Sequence, residues 1–302
     1  MGEIQAFFYS WRRRRRPGHP KDLLARLPFL FVTALLVGLS IHDSIVGLTH
    51  IDGSDLDIYR RASLHMLNDG NPYIYLGEPG FGSFRYAVWF AIAYIPWAVI
   101  PRDAAMIFWI PVLLVVSILP VADIIRRYGL LGWGFAALMQ VLLIGNVAAG
   151  NIQPLLIAAL YFGLDSRWGP WIVGTAASLK LAPILFILPW VAAGQWRKAV
   201  TAVVFAGVLL APSLLFQLPP SILESRMTSL IDISPVLWVA VVVAATLVAL
   251  RLGRTKWAWP AAACAVVLAL PRLLNLDLSF LMPAVRPPAP TAGGTGARER
   301  GI

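Results

Sequence analysis

Apolar stretches long enough to cross a bilayer as helices recur along this chain, and nothing else in the sequence constrains its fold so strongly. Read by apolar length, they cover residues 27–48, 86–100, 104–124, 133–147, 152–164, 171–191, 199–216, 235–250 and 257–270. A crossing helix takes roughly 20 residues. Only 13% of the 302 residues are charged, about half the usual share in a soluble domain. Such a chain cannot clothe a globule in polar surface. A water-soluble enzyme, a disordered tail and a secreted disulfide scaffold are excluded, the last because Cys264 is the one cysteine. The expected fold is all-α: a polytopic transmembrane bundle of about nine membrane helices plus one interfacial helix.

The net charge of +10 suggests nucleic acid until it is mapped. Arg12 to Arg16, the connector 195–198 and the connector 251–256 carry much of it beside apolar spans. That is the positive-inside pattern of a membrane protein, so no nucleic-acid partner is expected. Residues 1–26 then form a basic cytoplasmic N-terminus. No A-x-A-like site follows 27–41, which predicts an uncleaved first helix. Residues 27–283 form one transmembrane domain, and 284–302 read as a disordered tail. Alternation from a cytoplasmic N-terminus places 49–85, 217–234 and 271–277 on one extracytoplasmic side. It also places Arg126 and Arg127 there, against the positive-inside rule. The spans at 133–147 and 152–164 are short enough to be a re-entrant pair instead.

The first external loop, 49–85, holds five of the fifteen acidic residues: Asp52, Asp55, Asp57, Asp69 and Glu78. Residues 54–67 predict an amphipathic helix at the membrane surface, with Ser54 as its N-cap and acids in its first turn. Asn68 to Pro72 end it with turn chemistry. A carboxylate at that level is partly desolvated, which raises its pKa toward that of a general base. The bland alternative is a set of helix-terminal charges in a solvated loop. Lys180 lies in the middle of an apolar span, where a charge must face protein or water. It is either a paired lysine or a cation for an anionic group such as phosphate. Asn151 and Gln153 interrupt two apolar runs and need a cavity or a partner helix. Arg85 and Arg272 fall at the water boundary of the same side, as ligands or interface anchors. His42, His50 and His65 have no companions at ligand spacing, so no metal and no cofactor are expected. Nucleotide-binding, serine-hydrolase and zinc-protease motifs are lacking.

Three groups of residues resemble one family. D-L-D-I-Y-R-R-A, L-N-D-G-N-P-Y and F-R-Y are similar to its first-loop pattern. G-N-I-Q-P-L-L and G-T-A-A-S-L-K-L-A-P resemble its central motifs, and P-R-L-L-N-L-D-L-S-F-L its late one. The family is the polyprenyl-phosphate-mannose-dependent alpha-mannosyltransferases, glycosyltransferase family 87, of the GT-C superfamily. Ala87-Val88 stands where the family has a proline pair, and relatives continue through further helices beyond 283. The resemblance implies a GT-C-like fold in the plasma membrane with an extracytoplasmic active site. It implies inverting transfer of a hexose such as mannose from a polyprenyl-phosphate donor to a lipid or glycan acceptor, with membrane lipids around the bundle. Asp55 would be the general base, with Asp57 as substitute. Lys180, Arg85 and Arg272 would stabilise the leaving phosphate, and Tyr59 and Tyr86 would contact the sugar. Asn151, Gln153 and Asp277 would complete the substrate site. A glycolipid transporter or flippase, and a catalytically inactive membrane subunit, are the alternatives from other classes.

Overall fold

The computed structural model describes residues 27–73, 84–216, 230–271 and 275–286. Glu78, Arg272 and the run Arg12 to Arg16 lie outside the described residues. Among those described there is no strand, and the helices are α1 (Leu27–Thr49), α2 (Ser54–Asp69), α3 (Val88–Ala98), α4 (Arg102–Tyr128), α5 (Leu130–Ala149), α6 (Gln153–Gly163), α7 (Gly169–Leu179), α8 (Leu188–Ala192), α9 (Trp196–Leu210), α10 (Leu230–Ile233), α11 (Pro235–Leu252) and α12 (Ala258–Ala269). Three 3₁₀ stretches, Ala182–Ile187, Ala211–Leu215 and Asn275–Val285, complete the chain. The protein is a polytopic helical bundle: α1, α4, α5, α9 with its 3₁₀ extension, and α11 are each long and apolar enough to cross a membrane.

The course of the chain differs from simple alternation in two places. Residues 86–100 do not cross. The resulting helix α3 lies along α2, and Arg60 of α2 donates to the carbonyls of Trp97 and Ala98 at its C-terminal end. Arg102, only a few residues on, is again at α2. From there α4, 27 residues long and so about 40 Å, traverses the bundle, and α5 returns. Packing contacts confirm the return: Gly134 approaches Thr33, and Gly47 approaches Ile144. Helices α1 and α5 are therefore parallel, where alternation had made them antiparallel.

The second difference is at Lys180. The expected span 171–191 is a hairpin, with α7 rising to Ser178 at Trp89 and 182–192 descending again. Lys180 is the apex, with extended backbone (φ −137°, ψ 116°). One pass lost and one gained keep the connectors 195–198 and 251–256 on the same side. They move Arg126 and Arg127 to that side as well, which corrects their expected placement. Contacts tie this end together: Tyr128 donates to the Val285 carbonyl at 2.8 Å, Arg286 pairs with Asp165 and lies over Trp259, and Trp259 meets Trp190. Arg254 Nε donates to the Ala192 carbonyl. The basic residues thus collect at one end and α2 at the other.

A late pass closes the bundle. The segment Asn275–Val285 descends beside α5 and α12, and Phe280 and Met282 are fully buried. Residues 284–286 are packed too, since Arg286 is buried against Trp259.

Candidate active site

The chain places α2 with a glycine and an arginine. Gly53 occupies the N-cap with φ 63°, a left-handed conformation that favours glycine. Ser54, expected as the cap, is the first helical residue, and its N–H donates to the Asp52 carboxylate at 3.0 Å. The Gly53 N–H donates to the Ala148 carbonyl, which joins the start of α2 to the end of α5. Arg102 then clamps the same turn. Its guanidinium donates to both carboxylate oxygens of Asp57 and to the Asp52 carbonyl. Gly150, with φ 74°, would bring an added Cβ to 2.8 Å from the Leu56 Cβ. Only the bare backbone allows α5 to end so close beneath α2.

Asp55 points away from the clamp. Its carboxylate accepts a 2.7 Å hydrogen bond from the Asn151 amide. The Asn151 carbonyl oxygen accepts from the Gln153 backbone N–H at 2.8 Å. Gln153 donates its own amide to the Leu276 carbonyl and to Ser279 Oγ, and its side-chain oxygen accepts from Lys180. Lys180 also donates to Asp277 at 2.8 Å and stands 5.8 Å from the Phe280 ring centroid. A continuous polar chain therefore runs from α2 through the α5–α6 junction to the apex at Lys180 and the late pass. The links come from four separate parts of the sequence, at 55, 151–153, 180 and 276–279. Trp109, two turns into α4, donates to the Gly150 carbonyl, which sets this layer about 10 Å below the level of Arg102.

Partial burial drives the Asp55 carboxyl above the ordinary carboxylate range; the Asn151 hydrogen bond and the nearby Lys180 ammonium oppose that shift without cancelling it. A carboxylate so tuned is a stronger proton acceptor than an exposed one. Tyr59 is fully buried, donates to Tyr86 Oη at 3.1 Å and accepts from the Ile152 N–H. Burial raises both phenols, so their hydroxyls stay protonated and serve as polar contacts.

Among the expected site residues, Asp55, Asn151, Gln153, Lys180, Asp277, Tyr59 and Tyr86 gather in this layer. Asp57 is turned to Arg102 instead. Arg85 is exposed next to Tyr86, and Arg272 lies outside the described residues. The lysine is paired, as one of its two readings had it, yet its side chain keeps 20% exposure against 5% for Asp277. Among the described residues no group of His, Cys, Asp and Glu stands close enough to hold a metal ion.

Sequence reasoning missed Arg102, Trp89 and two serines. Ser178 receives the Trp89 indole N–H, and Ser213 receives the Val88 backbone N–H at 3.1 Å. A proline at position 88 would have no N–H to give, so the departure at Ala87-Val88 adds a contact to α9's extension. The available signal for Arg102 was a single arginine, next to Asp103, just before a long apolar run.

Residues 84–226 match the family model of glycosyltransferase family 87. That segment, a little under half of the chain, is similar to glycosyltransferases of this family. No curated protein and no solved structure matches it. The family 87 match spans Arg85, Tyr86, Asn151, Gln153 and Lys180, and stops short of Asp277. Asp55 precedes it and is joined to the family 87 segment by the hydrogen bond from Asn151.

Proposed function

We propose that the protein transfers a hexosyl group, mannosyl in the reading the motifs favour, from a polyprenyl-phosphate donor to a lipid or glycan acceptor, with inversion. The carrying observation is the meeting of Asp55 with the Asn151–Gln153–Lys180 chain. A tuned carboxylate and an ammonium share one partly exposed layer near one end of a membrane bundle. In the reaction, an acceptor hydroxyl attacks the anomeric carbon and its proton passes to the Asp55 carboxylate. The bond from that carbon to the phosphate oxygen breaks, and its electron pair leaves with the polyprenyl phosphate. Lys180 and Arg85, with Arg272, bind that developing anion, and Tyr59 and Tyr86 hold the sugar. The prenyl chain lies among the apolar helices. Charge stabilisation and positioning supply most of the rate, because phosphate is already a fair leaving group.

The basic end, with Arg126, Arg127, Arg197 and Arg254, faces the cytoplasm by the positive-inside rule. That orientation sets the Asp55 layer on the extracytoplasmic side of the plasma membrane. Asp57 then acts by holding α2 to Arg102, and only Asp55 is the base. The deciding experiment is transfer of labelled mannose from its polyprenyl phosphate in membranes carrying the protein. The parent and Asp57→Asn should turn over, the latter more slowly, while Asp55→Asn should not. Full turnover by Asp55→Asn removes the base assignment, and no transfer by the parent with any hexosyl donor removes the donor class.

A further inference from the structure

The least buried of the five long spans is α11, which lies along α12. Between them runs an open groove of about 540 Å³ whose wall is almost wholly apolar; Ala244, Ala245, Val248, Ala261, Cys264 and Leu268 line it. Alanines and a cysteine stand where larger side chains would close the two helices together, so the trough is made by side-chain size. At the basic end it runs out between Leu252 and Trp257. The turn joining those two residues carries Arg254 and Lys256, and Arg251 stands in the last turn of α11. All three are exposed.

Two further features set the level of this mouth. Trp257 and Trp196 are 48% and 60% exposed, and the Arg254 bond to Ala192 holds their two connectors together. Exposed indoles beside basic residues mark a membrane–water boundary. The N-terminus of α12, a 12-residue helix, opens at the same turn and adds the positive end of its dipole. An apolar trough of acyl width thus meets a three-cation mouth at headgroup depth. A second copy of this chain would bring like charge to that mouth, since the chain carries +10.

We propose that this groove is a binding site for an anionic phospholipid, its phosphate on Arg251, Arg254 and Lys256 and one acyl chain between α11 and α12. Basic positions at this depth favour anionic over zwitterionic headgroups, and the trough gives the chain a fixed seat. The site is separate from the Asp55 layer, at the other end of the bundle.

Cys264, the one thiol in the chain and exposed in the groove, reports occupancy. Purified protein in neutral detergent is treated with N-ethylmaleimide while phosphatidylglycerol or phosphatidylcholine of identical chains is added, and alkylation is followed by intact mass. Phosphatidylglycerol should protect Cys264 at roughly tenfold lower concentration than phosphatidylcholine, the difference expected of a few interfacial cations. The triple variant R251Q/R254Q/K256Q should erase that difference. Native mass spectra should show one phosphatidylglycerol retained by the parent and lost in A245L, which fills the trough and keeps every charge. Equal protection by both lipids, no protection by either, or thiol protection that tracks a dimer mass without lipid would each overturn the proposal.

Discussion

Two carboxylates at opposite ends of the bundle show what environment does to one functional group. Asp123, in α4, accepts hydrogen bonds from Arg126 at 2.9 Å, Arg127 at 2.5 Å and Tyr161 at 3.0 Å, and its side chain is 9% exposed. Asp55 in α2 is half-buried, and among the described residues its side chain takes one hydrogen bond, from a neutral amide. The first carboxylate has its charge matched on the spot and can only hold α4 to α6. The second is desolvated without a bonded cation, with Lys180 acting from farther along the chain. Saturation makes a structural acid, and under-partnering leaves one able to take a proton.

The largest expected effect tests that contrast directly. Asp55→Asn should lower sugar transfer by about 10²–10⁴-fold, the range for a lost general base, while Asp123→Asn leaves turnover per folded molecule near the parent's. Comparable losses in both would dissolve the distinction. Next in size is the ion pair beside the site. Lys180→Met takes the ammonium away from the nearly buried Asp277 and should lower stability by up to about 3–5 kcal/mol. The double variant with Asp277→Asn should recover most of it, as read by thermal unfolding in detergent. A double variant no more stable than Lys180→Met would show that the pair is not coupled.

Asp123→Asn should itself cost about 2 kcal/mol, because three hydrogen bonds to a charged acceptor are weakened at once. Gly150→Ala forces a Cβ against Leu56 and an alanine into the left-handed region, at about 1–2 kcal/mol for the backbone alone. Its transfer rate should fall as well, since α2 carries Asp55, the proposed base. The smallest effect is one of pH. The folded-state pKa of Asp55 is raised, so the unfolded chain ionises first as pH climbs. Stability is then lost between the ordinary carboxylate pKa and the raised one, and Asp55→Asn should recover it. Melting curves should favour Asp55→Asn at neutral pH and match the parent's well below pH 3.8. The acid limb of transfer should lie above the ordinary carboxylate range for the same reason.

Much of the fold was legible along the chain. The apolar lengths found α1, α4, α5, α9 and α11, and the 3.6 period with a terminal glycine found α2, whose buried face carries Leu56, Tyr59 and Ala62. The two topological errors have one cause. Residues 86–100 and 171–191 are apolar throughout or nearly so, and apolarity measures transfer from water, without saying whether a segment crosses, lies alongside another helix or turns back. Pro96 in α3 and the lone cation at 180 were local signs of irregularity that hydropathy averages away. The site was legible as residue types. Lys180, Asn151 and Gln153 were singled out by their cost in an apolar chain, and Asp55 and Asp277 by the acidic first loop and the family resemblance, whereas Arg102 was passed over because an arginine at a helix end needs no special account.

What the chain alone determined is its solvent and its unusual residues: so few charges require lipid around most helices, and each polar group kept among them must have a reason to stay. Which of those groups meet was decided by tertiary structure. The doubling back at Lys180 and the non-crossing α3 bring 55, 151, 180 and 277 to one level, because hydrogen-bond donors and acceptors removed from water must find one another, and only the packed bundle sets who is within reach.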